Sequence, residues 1–217
     1  KQPYDPKSFN LQQTATNILG LEYKEIIPKI EYKVKDRPCK EKYICISPHA
    51  SAGAKYWQHP TGWQDIIDYI NNTLKYKVLL ISHEGHNDSF HNSKLPGGKK
   101  LKNIVDFTGD HPIEDIMSII HHSELYIGVS SGLAWLTWAL NKPTLMISGF
   151  SSEWTEFSSK MTRIINKDVC NSCFNNHKLD AGDWDWCPSH KDTPRQFECT
   201  KKISPEIVIE GIISSLV

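Results

Sequence analysis

The chain has 217 residues, 25 of them basic and 25 acidic, and a formal net charge of zero. Nucleic-acid binders normally carry a basic excess or stripe, so that class is excluded, and no run of about 18 apolar residues is present to span a membrane. The length suits one large domain or one domain with appendages, and a start at Lys1 and not at Met leads to the expectation of a fragment, a processed form or a trimmed chain.

Residues 1–42 read as an irregular connecting segment. It holds a short helix over 9–19, closed by Gly20, then a stretch of alternating charged and apolar residues interrupted by Pro28. From Tyr43 the pattern becomes regular. A buried strand over 43–47 leads into a polar loop with Pro48, Ala52, Gly53 and Lys55. Apolar residues at helical spacing follow over 62–70, and a second strand over 77–82. A loop with Gly85, Pro96, Gly97 and Gly98 precedes a third strand over 103–106. The next helix, 111–120, has Pro112 and acidic residues in its first turn, as the positive end of a helix dipole favours. A fourth strand over 124–128, a helix over 132–140, a fifth strand over 143–147 and a sixth over 161–165 complete the alternation. A final amphipathic helix over 204–216 has Ser204 as N-cap and Pro205 at its first position. Short apolar strands alternating with helices imply a parallel sheet covered on both faces, an α/β Rossmann-like fold. The seven tryptophans are spread along the chain and read as packing and pocket-lining residues.

The expected division is a connecting segment over 1–42, a nucleotide-sugar-binding domain over 43–166, a cysteine finger over 167–202 and a C-terminal helix over 203–217. The finger carries Cys170 and Cys173 in a C-x2-C pair, then Cys187 and Cys199. Two intervening residues let both sulfurs turn toward one ion. The residues between are polar and lack any period, so burial alone cannot hold their shape. A metal or two disulfides would staple them. No leader is recognisable, and Cys39 and Cys45 lie elsewhere, Cys45 inside a strand, which favours the metal. Four thiolates suit zinc or iron, and a closed four-ligand site is structural.

Parallel sheets bind ligands beyond the carboxyl ends of their strands. Three strand ends carry suggestive chemistry. The loop after the first strand has small residues and Lys55, a point charge suited to phosphate, or an ordinary solvated lysine. Gly128-Val-Ser-Ser-Gly132 runs straight into a helix, whose first N–H groups attract an anion; a serine there is equally an ordinary N-cap. Ser82-His83-Glu84-Gly85, and likewise residues 148–153, either line the site or are plain polar turns. Together, Lys55 and the Ser130-Ser131-Gly132 helix start can converge on a diphosphate. Neither G-x-x-x-x-G-K-[ST] nor G-x-G-x-x-G occurs, which argues against a P-loop enzyme and a dinucleotide-dependent dehydrogenase.

Three stretches, Ile46-Ser-Pro-His-Ala-Ser-Ala-Gly-Ala-Lys-Tyr-Trp57, Val129-Ser-Ser-Gly-Leu-Ala-Trp-Leu-Thr-Trp-Ala-Leu-Asn-Lys-Pro143 and Ile147-Ser-Gly-Phe150, together resemble the bacterial autotransporter heptosyltransferases of the TibC type, relatives of glycosyltransferase family nine. The opening residues 4–13 and the four-cysteine segment resemble that family too. The resemblance implies the C-terminal, donor-binding half of a two-domain GT-B enzyme, inverting transfer of heptose from ADP-heptose to Ser hydroxyls of an autotransporter adhesin, a homo-oligomer, and a place in the bacterial cytoplasm. It implies Lys55 as the catalytic charge on the leaving ADP, with no Mg2+ needed, and Ser51, Lys55, Ser130, Ser131 and Gly132 as donor-binding residues. It also implies one structural iron, with zinc as the alternative, on Cys170, Cys173, Cys187 and Cys199. The proposed general base of the family lies in the N-terminal domain, outside this chain. Where the lipopolysaccharide enzymes carry Asp and His, this sequence has Ser130 and Trp135, as the autotransporter branch does. The competing readings are a nucleotide-sugar-binding or assembly module without catalysis of its own, a lipopolysaccharide-type heptosyltransferase, and a zinc-ribbon interaction protein.

Overall fold

The computed structural model describes residues 7–83, 100–180 and 182–217. Six strands form one sheet: β1 (Tyr43–Ser47), β2 (Lys77–Ser82), β3 (Val105–Thr108), β4 (Leu125–Gly128), β5 (Thr144–Ile147) and β6 (Met161–Ile164). Their order is β3-β2-β1-β4-β5-β6, and every pairing is parallel. The helices are α1 (Leu11–Ile18), α2 (Gly62–Tyr69), α3 (Ile113–His122), α4 (Gly132–Ala139), α5 (Cys173–Asn176), α6 (Glu198–Lys201) and α7 (Pro205–Leu216).

Side chains alternate across a strand, so each strand feeds two cores. Ile44, Ile46, Leu80, Ile127 and Ile147 point to the face covered by α2 and α7, where Trp57, Trp63, Ile66, Val208 and Ile212 are buried with them. Cys45, Leu79, Tyr126 and Met146 point to the face covered by α3 and α4, against Ile116, Ile120, Trp138 and Phe157. With both faces buried, the strands read as continuous apolar runs, which is why the sequence makes them visible.

The differences from expectation have local causes. The third strand starts at Val105, two residues later than its apolar run suggests. Asn103 adopts a left-handed φ of 58° and its carbonyl accepts a bond from Asn71 Nδ2 at 2.8 Å, so pairing begins only at Val105 with Leu79. α2 continues past residue 69 as a π-helical turn, Ile70–Leu74, ended by left-handed Lys75. α1 is shorter than expected because Asn10 caps it, its side chain accepting from Gln13 N at 2.7 Å. Residues Glu84, Gly85, Pro96, Gly97 and Gly98, singled out in the sequence, lie outside the described residues.

The segment before β1 straps the outside of the domain. Leu11 N donates to Thr155 O at 2.9 Å, and the Glu25 carboxylate accepts from the backbone and hydroxyls of Ser158 and Ser159. Further along, Lys35 N donates to Ser118 Oγ. Among the described residues no helix is long and apolar enough to cross a membrane.

Trp57 joins the loop after β1 to the chain before α7: it is fully buried and its Nε1 donates to Ile203 O at 3.0 Å. Trp57→Phe keeps the aromatic packing but strands that carbonyl. It is expected to lower unfolding free energy by about 1–3 kcal/mol in urea titration, the cost of an unmet buried acceptor.

Candidate functional site

β1 and β4 lie side by side, Ser47 opposite Gly128, and the strand order turns outward in both directions from them. The loops that leave their carboxyl ends therefore part, and a ligand crevice opens there. It is a cleft of about 470 Å³ whose polar lining includes Ser47, His49, Ser51, Ser82, His83 and Ser131, with Leu133 and Leu136 among its apolar residues. A second cavity of about 350 Å³ lies between α2 and residues 100–103, away from the strand ends.

α4 begins at the cleft. Ser131 is its N-cap and makes no side-chain cap bond; Gly132 is its first residue, lines the cleft, and a Cβ added to it would meet nothing within 4 Å. The backbone can thus approach a ligand closely, and the helix is positive at this end. Behind it, burial pushes the Tyr126 phenol up to about 12, polar contact with Ser131 and Ser47 opposing.

Ser51 and Lys55 flank the mouth. Lys55 ends a short 3-10 turn, Gly53–Lys55, and its Nζ donates to Ser51 Oγ at 3.4 Å. Burial pulls the Lys55 ammonium pKa down from its ordinary value, and the negative charge of Glu156 opposes this. Ser130 faces elsewhere. Its hydroxyl donates to Glu156 Oε1 at 2.6 Å, so its proton is already committed. The structure therefore places Ser51, Ser131 and Gly132 on the cleft, Lys55 at its edge, and Ser130 in a buried network beside it. His49 and Glu156 were missed by the sequence reading. His49 stands two residues past a strand end, which was a signal of position only; it is 4% exposed, with its ring edge-on to Tyr56. Glu156 carries no sequence signal, since its partners come from three separate segments.

The cysteine segment docks on the same edge of the sheet. None of the six cysteines is in a disulfide; Cys187 and Cys199 are buried and Cys170 and Cys173 half-buried. Burial, then Cys173, Cys170 and Cys187, push the Cys199 thiol up to about 12; burial, Cys170 and Cys187 push Cys173 up to about 11. Cys170, His190 and Glu198 bring one ligand atom each within 4.8 Å of one another. Glu198, however, accepts from Arg195 on both oxygens, and that guanidinium holds its carboxyl down at about 2.

This segment grips two loops at once. Ser172 N donates to Gly149 O at 2.8 Å and Phe174 N to Phe150 O at 3.0 Å, both in the turn after β5. Asn175 Oδ1 accepts from Ser152 N and Thr155 Oγ1. On the other side, Ala54 N donates to Trp184 O at 3.4 Å and Gln58 N to Thr200 Oγ1 at 3.3 Å, in the loop that carries Lys55. Ala54, Phe150 and Trp186 close a small apolar cluster between them. Residues 148–153, read as cleft lining or a plain turn, are thus the docking turn of the cysteine segment.

Residues 8–181 match the profile of glycosyltransferase family 9 (heptosyltransferase). The chain belongs to that family. It is 36% identical to the autotransporter heptosyltransferase BAHTCr of Citrobacter rodentium, over 99% of this chain and 51% of that protein. It is 30% identical, over 98% of its length and 49% of the other's, to a Burkholderia thailandensis relative, BimC, described as an inactive autotransporter heptosyltransferase. A crystal structure of TibC from Escherichia coli H10407, described as a dodecameric iron-containing heptosyltransferase in complex with ADP-D-beta-D-heptose, superposes with a TM-score of 0.87 at 32% identity, over 99% of this chain and 55% of that one. This family 9 chain spans about half the length of the curated relatives it matches.

Two glycines separate docking from binding. A Cβ on Gly149 would lie 2.8 Å from Cys199 Cβ and 2.9 Å from its Sγ, so Gly149→Ala is expected to cost about 1–3 kcal/mol of stability through overpacking. Gly132→Ala meets open space and should leave the thermal midpoint of the free protein unchanged.

Proposed function

We propose that this chain is the donor-binding part of a GT-B glycosyltransferase that moves heptose from ADP-heptose, with inversion, to Ser hydroxyls of an autotransporter adhesin. The superposition on TibC in its ADP-heptose complex, over almost the whole of this chain, carries the reading. The cleft at the β1–β4 crevice, with Gly132 at a helix start and Lys55 at its edge, supports it. Departing ADP gains negative charge. A helix N-terminus and a lysine ammonium can stabilise that charge in place of Mg2+. Gly132 lets the backbone N–H groups come near, Ser51 orients Lys55, and Ser130 holds the turn through Glu156 and leaves diphosphate contact to Ser131. The general base belongs to the other half of the enzyme.

The domain limits proposed are those drawn from the sequence: 1–42, 43–166, 167–202 and 203–217. Residues 167–202 hold one structural metal on Cys170, Cys173, Cys187 and Cys199, iron by likeness to TibC and otherwise zinc. Burial first, and then the neighbouring thiols, push Cys199 and Cys173 up, which a bound cation would relieve, and this supports the set; the commitment of Glu198 to Arg195 argues against Cys170, His190 and Glu198 as the alternative. A homo-oligomer and a cytoplasmic place in the cell belong to the same proposal. An inactive relative at 30% identity favours keeping one other reading, a nucleotide-sugar-binding module without catalysis.

Calorimetric titration of the chain with ADP-heptose, ADP and UDP-N-acetylglucosamine tests the donor site. Selective binding of the ADP ligands is expected, weakened about tenfold by Lys55→Ala, the loss of one charge-assisted phosphate contact. Equal binding of the UDP sugar would refute the assignment. With the complete enzyme, transfer to an adhesin that survives Lys55→Ala unchanged would remove the catalytic role of Lys55. Metal analysis should find about one equivalent of iron or zinc per chain, lost in Cys187→Ser and kept in His190→Ala; the reverse pattern would favour the mixed ligand set.

A further inference from the structure

Glu156 lies in the turn between β5 and β6 and is 3% exposed. Its Oε1 accepts from Ser130 Oγ at 2.6 Å and from Ser151 Oγ at 2.9 Å. Its Oε2 receives Arg163 Nη2 at 2.5 Å, from a side chain 7% exposed. These three donors come from the turn after β4, the turn after β5 and β6 itself. One carboxylate therefore joins three neighbouring strand ends at the edge that bears the cleft. A purely structural role does not require a charge here, because apolar packing commonly matches or exceeds a buried ion pair in stability. The retained charge has a second target: among the described residues, the negative charge of Glu156 opposes the effect of burial on Lys55.

We infer that Glu156 is a positioning residue for a nucleoside diphosphate: through Ser130 it fixes the Ser130–Gly132 helix start, and it sets a fixed negative charge beside Lys55. This rests on the donor-site reading above. A lone carboxylate next to a diphosphate would repel it. Arg163 on the other oxygen balances the pair, so among the described residues the ligand meets a neutral network and the Lys55 ammonium. Among the described residues the charge that acts on Lys55 is Glu156, with its partner Arg163; His49 stands on the same loop as Lys55, and Asp185 and the Lys191-paired Asp183 flank Trp184, whose carbonyl accepts from Ala54 N.

The test is calorimetric binding of ADP to the 217-residue chain from pH about 7.5 to about 10.5, where the phosphates of ADP are fully ionised. Lys55 holds phosphate as the ammonium, so affinity falls as pH rises through its pKa. Glu156→Gln removes the opposing charge; the fall should move to lower pH, and binding near pH 8 should weaken about tenfold for each unit of movement that reaches that pH. Arg163→Gln leaves the carboxylate unbalanced and should move the fall to higher pH. Lys55→Met should abolish it, and Glu156→Asp should restore most of the wild-type profile. A merely structural Glu156 would change affinity at every pH alike. If Glu156→Gln alone does not fold, the double variant Glu156→Gln/Arg163→Gln, which buries no charge, replaces it, with a smaller downward shift expected because the positive charge of Arg163 goes too. A midpoint unmoved in the variants that fold overturns the inference. Failure of the wild-type chain to bind ADP at any pH overturns instead the donor-site reading on which it rests.

Discussion

The pairing of β1 with β4 is the constraint on which the molecule depends. It places the two halves of a six-stranded parallel sheet back to back, so that the chain winds outward in opposite directions from one seam. Both faces of the sheet are closed by helices, and the seam's carboxyl end is where backbone is left open to a ligand. Among the described residues, the small-residue loop with Lys55, the α4 start at Gly132 and the docking turn after β5 all lie about that end. The site is a consequence of topology first and of residue choice second.

The cysteine segment shows how a polar stretch acquires a shape. Burial supplies little: its described residues between Asn176 and Asp185 are mostly exposed. Its order comes from backbone bonds to Gly149, Phe150 and Ala54 and from one small apolar cluster. Those bonds tie together the loop after β1 and the loop after β5, two segments that do not otherwise need to move as one. A ligand-binding edge built of loops gains rigidity from such a clamp, and rigidity at the site is what holds a charge in place at the moment it is needed.

Glu156 and Arg163 belong to the same economy of position. Removing two charges from water is costly, and the pair recovers that cost only through good geometry and further hydrogen bonds. Ser130 and Ser151 supply them. The result is a neutral pair under the cleft whose carboxylate is bonded on both oxygens while Arg163 Nε and Nη1 stay buried without a partner among the described residues, beside a lysine whose ammonium is otherwise disfavoured by burial.

Much of the fold was legible in the sequence because its strands are buried on both faces and its helices on one, so that hydrophobic period and capping residues mark each element. β1 and β2 fall on their apolar runs, and α7 starts at Pro205 as its Ser204 cap indicates. That the loops carrying Ser51, Lys55, Ser131 and Gly132 leave the same end of the sheet was legible too, since a parallel sheet has all its carboxyl ends on one side. What tertiary structure alone decided is which of these groups remain free. Ser130 and Ser131 are neighbours of one residue type, yet Ser130 donates to a carboxylate 26 positions away while Ser131 lines the cleft. Sequence patterns report how a residue is buried, because burial follows local period. They do not report which distant partner a polar atom meets, because that is settled by the packing of segments with no shared period.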